Sequence, residues 1–382
     1  MENNNSVCYV GIVTEVKAIE GADNIELGVV GGWNAIIKKG EYTVGDYVVV
    51  ATTDAVIPQE ISDSIGVTNY LRKGGRVRTV KLRGVYSECL IIPFDILPQM
   101  KKQFATGIGY YWKEGEDLME HLGIFKYEPP AVQIQLSSGR KIRYSQNPNF
   151  GVYYKFPNLK NVKGMFTGED LVEITRKMHG TNARYGIVKK RKMSIWDKVK
   201  RFFGNEWAEY EYVYGSHNVE KGSDSQGFYG TDVWDDINKR MGIKEKLWMY
   251  ATEYGPKVIG EGIVLYGEIY GAGIQKNYDY NFSKTDFMGF DVMLDGKYVP
   301  TYDAWNIITN ELELSYVPIL YYGDWSQEIQ DKHVFNNFID GSKVPHEGIV
   351  IKYYTGERNK IAKVINPDYL IYGEKHNVGD SH

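Results

Sequence analysis

The chain has almost no cysteine. Only Cys8 and Cys89 occur in 382 residues, without Cys-x-x-Cys spacing, which argues against a disulfide framework or a cysteine-built zinc site and fits a reducing compartment. Long apolar runs are also missing: none approaches the ~20 residues that a membrane span needs. The opening Met1-Glu2-Asn3-Asn4-Asn5 lacks the basic-then-apolar pattern of a signal peptide. A soluble, intracellular (cytoplasmic) protein with no membrane partner is expected, and a monomer. Charge of one sign is not in excess either. With 45 Lys+Arg against 49 Asp+Glu and a net charge of -4, a nucleic-acid surface has to be a local patch. Tyrosine, by contrast, is abundant at 31 residues, which suits stacking platforms for bases or strand-rich packing with hydroxyls at the surface.

The length allows two or three domains, and two are expected. From Val7 to about Phe94 short runs rich in β-branched and aromatic residues (7–16, 25–30, 33–38, 47–51 and 78–82) alternate with the turn signals Gly31-Gly32, Lys39-Gly40 and Gly45-Asp46. Five such strands predict a small barrel. The stretch from Ala18 to Leu27 resembles the first hairpin of OB-fold domains related to tRNA-binding modules. Within 71–84 stand Arg72, Lys73, Arg76, Arg78, Lys81 and Arg83 with no acidic residue, a field suited to phosphates or a solvated loop. Pro129-Pro130, Ser137-Ser138-Gly139 and Pro148 break periodicity, so the expected division is an OB-like nucleic-acid-binding domain over 1–130, a linker over 131–150 and a catalytic domain over 151–382. Between 189 and 203, seven basic residues face a single Asp197, with Ile195, Trp196, Val199, Phe202 and Phe203 at helical spacing. This reads either as a helix that grips a phosphate backbone or as an amphipathic surface helix with a solvated basic face.

Chemistry concentrates around Lys177-Met178-His179-Gly180-Thr181-Asn182, flanked by candidate strands at 171–175 and 183–188. A lysine at a strand-to-turn transition is a nucleophile on a rigid base. At a reference pKa of about 10.4 a lysine is neutral only about one part in 10³ to 10⁴ at pH 7, so ~4–5 kcal/mol is withheld from attack unless its surroundings favour the uncharged amine. Four segments follow in order: Leu265–Gly271, Phe287–Val292, His346–Lys352 and Ile361–Val364. Each alternates apolar residues with a carboxylate, lysine or aromatic, as a strand does when one face is core and the other lines a cleft.

This ordered series resembles the nucleotidyl-transfer motifs of the covalent nucleotidyltransferases, the superfamily of ATP-dependent ligases and messenger-RNA capping enzymes. His-Gly-Thr-Asn after the lysine, with an OB-like module in front, resembles the Deinococcus- and Naegleria-type RNA ligases. The resemblance implies an α+β chain: an OB-like β-barrel, then an ATP-grasp-like ligase domain of antiparallel sheets flanked by helices. It implies ATP and magnesium (or manganese) as cofactors, RNA as a nicked duplex or broken strand as partner, and Lys177 attacking the ATP α-phosphorus. Lys363 and Lys352 would offset α-phosphate charge, with Lys363 and Glu347 counted among the catalytic residues. Glu347 would hold the metal, unless it is a surface glutamate. Glu268 would receive a ribose hydroxyl, and Phe290 would stack on adenine, unless it is core. Asn182 would hold a ribose or phosphate, and Gly180 would admit the nucleotide to the backbone. His179 would position phosphate or leaving group, or be a hydrogen-bonded core histidine.

Two departures stand out. Ser216-His217-Asn218 replaces the family's Ser-Arg-Asn as the expected nucleic-acid contact, and Ile361 occupies the first of two lysine places, leaving Lys363 with Lys360 nearby. The chain also ends soon after the fifth segment, where DNA ligases and capping enzymes usually continue into another OB domain. The expected function is RNA ligation in repair through lysyl-AMP and an adenylylated RNA end. A DNA ligase, a capping nucleotidyltransferase and a noncatalytic RNA-binding protein are the alternatives.

Overall fold

The computed structural model describes residues 6–72, 74–93, 112–127, 147–162, 164–217, 219–221, 232–275, 277–278, 280, 282–357, 360–376 and 378. The chain divides into two compact units, Met1–Ala131 with Pro157–Met165 and Val132–Phe156 with Phe166–His382. Most of the expected linker, 131–146, lies outside the described residues, as do Lys73 and Asn218.

In the first unit β1 (Cys8–Ala18), β2 (Ile25–Val30), β3 (Trp33–Lys38) and β4 (Tyr47–Thr52) follow the expected runs. With β8 (Cys89–Pro93) the sheet order is β3-β2-β1-β4-β8, all antiparallel. Long β1 serves both halves because it shifts register between Val13 and Glu15, a bulge that bends a strand toward barrel closure. Val10, Val49, Ala51 and Ile92 pack one side, and Val13, Val30, Trp33 and Ile91 another. Short β5 (Ala55–Val56) pairs with β9 (Phe125–Lys126).

The fifth barrel strand is β8 (Cys89–Pro93), whereas 80–82 forms β6 (Val80–Leu82) in a separate hairpin with β7 (Val85–Ser87). The reason is burial: Cys89, Ile91 and Ile92 are covered, while Lys81 and Leu82 are exposed, and an apolar five-residue run shows no alternation by which a sheet strand is recognised.

The second unit carries two antiparallel sheets. One has the order β17-β10-β18-β19, from β10 (Leu171–Lys177), β17 (Ile319–Asp324), β18 (Gly348–Tyr353) and β19 (Ile361–Ile365). The other runs β13-β12-β11-β14-β15-β16, from β11 (Thr181–Lys189), β12 (Tyr210–Gly215), β13 (Glu220–Lys221), β14 (Gly262–Gly271), β15 (Thr285–Leu294) and β16 (Lys297–Tyr298).

Alternation sorts the faces of the larger sheet. Tyr185, Ile187 and Leu265 join Ile237, Leu247 and Ala251 of helices Val233–Met241 and Ile243–Tyr254 in the main core. Asn182, Arg184, Tyr266 and Glu268 point the other way. Asp232 caps the first of these helices and left-handed Gly242 ends it. Among the described residues no helix is long and apolar enough to cross a membrane.

Candidate active site

Strand register places three lysines on one face of the four-stranded sheet. Lys177 lies opposite Gly348, Thr175 opposite Val350 and Glu173 opposite Lys352, while Lys363 lies opposite Val350 from the other side. With a side-chain period of two, Lys177, Lys352 and Lys363 share that face. Glu347 immediately precedes β18, and its Oε1 accepts a hydrogen bond from Lys177 Nζ at 2.5 Å. Its Oε2 is buried with no hydrogen-bond partner among the described residues and lies 3.8 Å from His179 Nδ1.

Two glycines let the elements close around this pair. A Cβ on Gly180 would stand 2.2 Å from the Ile269 carbonyl oxygen and 3.0 Å from Glu268 Cγ. Gly348 has φ +151° and a Cβ there would meet Val364 O at 2.2 Å, so both the turn after Lys177 and the start of β18 need the missing side chain.

Glu268, opposite Asn182 in the β11–β14 ladder, completes the acidic side. The residue keeps some exposure, but protein packs densely around its carboxyl. That desolvation pushes its pKa up to about 8; the Lys177 charge and the Gly180 N–H oppose the rise and the Glu347 charge adds to it. Asn182 is held through its backbone, whose carbonyl accepts from Trp234 Nε1 at 3.0 Å. Its side-chain Oδ1 is buried without a partner among the described residues.

His179 is buried and oriented by residues with no local sequence signal. Its ring Nδ1 lies 3.0 Å from the Tyr369 hydroxyl, its backbone N–H donates to Tyr280 Oη at 2.5 Å, and Tyr278 meets it edge-on at 4.9 Å. Gln275 Nε2 donates to Gly180 O at 2.5 Å. None of these four residues stands in a motif of the sequence, and the tyrosine excess is the one visible trace of three of them. Next to Glu347, burial, helped by Arg176, drives the His346 pKa down to about 4.

The remaining predicted residues differ in where the fold places them. Buried Lys352 Nζ donates to Phe290 O at 2.5 Å and stands 3.6 Å from Asp291 Oδ2, joining the two sheets rather than facing an open cleft. Burial raises the pKa of neighbouring Glu173, and Lys352 opposes the rise. Phe290 sits at the β14–β15 register shift, half-buried and packed edge-on against Tyr153 at 4.9 Å. Lys363 is half-buried on the shared face, and Lys360 pairs with Asp170 at 2.6 Å. Ser216 and His217 follow β12, and Ser216 O accepts from fully buried Arg184 at 2.9 Å.

In the first unit Arg76 is not available to a phosphate in this arrangement. Its Nε donates to Asp54 at 2.8 Å and its guanidinium stacks on Tyr127 at 4.0 Å. Arg72 is half-buried, while Arg78, Lys81 and Arg83 are exposed, with Lys81 Nζ donating to the Tyr86 hydroxyl at 2.8 Å. Among the described residues no group of three or more His, Cys, Asp or Glu converges as a metal cage.

The RNA ligase family model matches residues 170–365, more than half of the chain, and takes in Lys177, Glu268, Glu347 and Lys363. The chain belongs to the RNA ligase family. An OB-fold domain model matches residues 7–94 of the same ligase. Among solved structures, a mutant of the Naegleria gruberi RNA ligase in its apo form is 22% identical with a TM-score of 0.69, covering 97% of this chain and 98% of that one. The N. gruberi ligase with PPi, and a mutant of it with ATP and Mn, are each 22% identical at a TM-score of 0.68, covering 97% of this ligase and 99% of the other chain. At that identity the likeness establishes the shared fold, an OB-fold domain followed by antiparallel sheets with helices. No curated protein matches by sequence.

Proposed function

We propose that this ligase uses ATP to join an RNA 3′-hydroxyl to an RNA 5′-phosphate at nicks or breaks, through a lysyl-AMP intermediate on Lys177 and an adenylylated RNA end, in RNA repair. The observation that carries this reading is the Lys177 amine 2.5 Å from Glu347, on the strand face that also bears Lys363. Both Glu347 Oε2 and Asn182 Oδ1 are buried acceptors without partners among the described residues, as expected for a site that takes a cation and ligand donors. The N. gruberi ligase structures with ATP and Mn support ATP and a divalent cation as its cofactors.

In the first step Lys177 sheds a proton, its nitrogen bonds to the α-phosphorus, and the bond to pyrophosphate breaks. The AMP then passes to the RNA 5′-phosphate, and the 3′-hydroxyl displaces it. Glu347 would hold the divalent cation, which when bound supplies positive charge beside the triphosphate and favours the uncharged amine. Lys363 lies where it can offset charge on the α-phosphate. Glu268, protonated below about pH 8, can either donate to or accept from a ribose hydroxyl. Phe290 supplies a ring edge or face for adenine, Asn182 a ribose or phosphate contact, and Gly180 close backbone approach. His179, locked by Tyr369, orients phosphate or leaving group. Exposed Arg78, Lys81 and Arg83, with Ser216 and His217, would contact RNA backbone.

Labelled ATP and GTP, followed by nicked duplexes with RNA or DNA on the 3′-hydroxyl side, test the assignment. Labelling by ATP and sealing of the RNA-ended nick are expected. Sealing of all-DNA nicks alone, or labelling by GTP alone, contradicts it.

A further inference from the structure

The helix Ile195–Phe202 in the catalytic unit is mounted inside out. Its start is fixed by a capping box: Ser194 Oγ accepts from Asp197 N at 3.1 Å, and Asp197 Oδ2 accepts from Ser194 N at 3.0 Å. Its polar side faces the body, with Asp197 bonded to Lys190 Nζ at 2.7 Å and Arg201 ion-paired to Glu209. Its apolar side faces solvent. Ile195, Trp196, Phe202 and Phe203 are 78%, 74%, 85% and 80% exposed, and Val199 lies among them at 39%.

At 3.6 residues per turn these five side chains fill one arc of roughly 120°. Rings of this kind cover ~150–250 Å² each when buried, so three of them this exposed bring the patch to the upper end of the ~300–600 Å² found as the largest on ordinary monomers. Exposed Lys198 and Lys200 border the arc on its two sides, and no acidic residue falls within it. Long lysine stems beside an apolar strip place ammonium groups level with a headgroup layer while the strip enters the acyl boundary.

We infer that this helix docks the ligase on an anionic lipid surface. The face itself argues against other occupants. Branched Ile195 and Val199 hold its middle and offer nothing on which a base stacks, and Phe202 and Phe203 meet edge-to-face at 5.6 Å and 83°, so the pair presents no common plane. A second copy meeting this face would set Lys198 and Lys200 against their own counterparts. Anionic headgroups satisfy the lysines, and the acyl boundary beneath them takes the apolar arc.

Flotation of the full chain with vesicles of phosphatidylcholine, alone or mixed with phosphatidylglycerol, tests the inference. Binding is expected to the anionic vesicles at low salt, to weaken as salt rises, and to fall at least tenfold in a Trp196→Ser, Phe202→Ser, Phe203→Ser triple variant. Lys198→Glu with Lys200→Glu gives an independent loss. The variants keep the parent's unfolding midpoint and ATP self-labelling, because the altered side chains project into solvent. No flotation at low salt, equal binding to neutral vesicles, or wild-type binding by the triple variant overturns it. So does a triple variant that loses RNA binding or dimerisation while its vesicle binding is unchanged.

Discussion

At the scale of single residues, the lysine proposed as nucleophile stands in a recognisable local pattern, and the tyrosines packed around its neighbour His179 do not. Lys177, Gly180 and Glu347 carry local patterns, whereas Tyr280 and Tyr369 reach His179 from 101 and 190 residues away and belong to no repeating signal. Chemistry spaced that far along the chain becomes visible only once the strands pair. Glu268 was legible as a carboxylate but not as a proton store. With its folded pKa raised to about 8 from the ordinary 4.5 of a glutamate, the folded chain keeps a proton that the unfolded chain releases. Stability contributed by this group is therefore full below about pH 4.5, falls as pH rises through the window to about 8, and is level beyond. Glu268→Gln removes that dependence. Its melting temperature minus the parent's is expected to grow between pH 5 and 8, reflecting at most a few kcal/mol; a difference flat across that range contradicts the assignment.

At the scale of elements, alternation identified the strands that carry site residues, since each has one wet and one dry face. It missed β8, whose apolar run is covered on both sides, and it misassigned 78–82 because β-propensity does not reveal which partner a strand selects. Expected strands 171–175 and 183–188 instead run to Lys177 and from Thr181, so only the three residues from Met178 to Gly180 separate the two sheets beside Lys177. The junction after β19 is equally tight. Fully buried Asn366 donates from its backbone N–H to Glu347 O at 2.9 Å and from Nδ2 to His346 O at 3.1 Å, and its Oδ1 accepts from Asp368 N at 3.0 Å. It thereby ties the segment bearing Glu347 to the helix bearing Tyr369. Asn366→Ala is expected to cost about 1–3 kcal/mol in denaturant unfolding and to slow self-labelling under conditions where the protein remains folded. An unchanged midpoint and rate would remove Asn366 from this role.

At the scale of the whole molecule, two domains and their order could be read from the sequence, but the segment Pro157–Met165 could not be assigned to the first unit. Its Lys160 Nζ pairs with buried Glu88 at 2.5 Å and lies 5.4 Å from the Trp33 ring centroid, a contact between distant positions that no local pattern announces. The proposed division of labour predicts separable defects. Reversing Arg78, Lys81 and Arg83 to glutamate should lower RNA sealing at least tenfold and flatten its salt dependence, while self-labelling by ATP continues; equal loss of both steps contradicts the division. One amine, that of Lys177, has to carry the AMP. Incubation with ATP and a divalent cation, followed by peptide mass spectrometry, is expected to place a single AMP adduct on Lys177 and none in Lys177→Ala. An adduct on Lys352, Lys360 or Lys363, or labelling that survives the substitution, contradicts it.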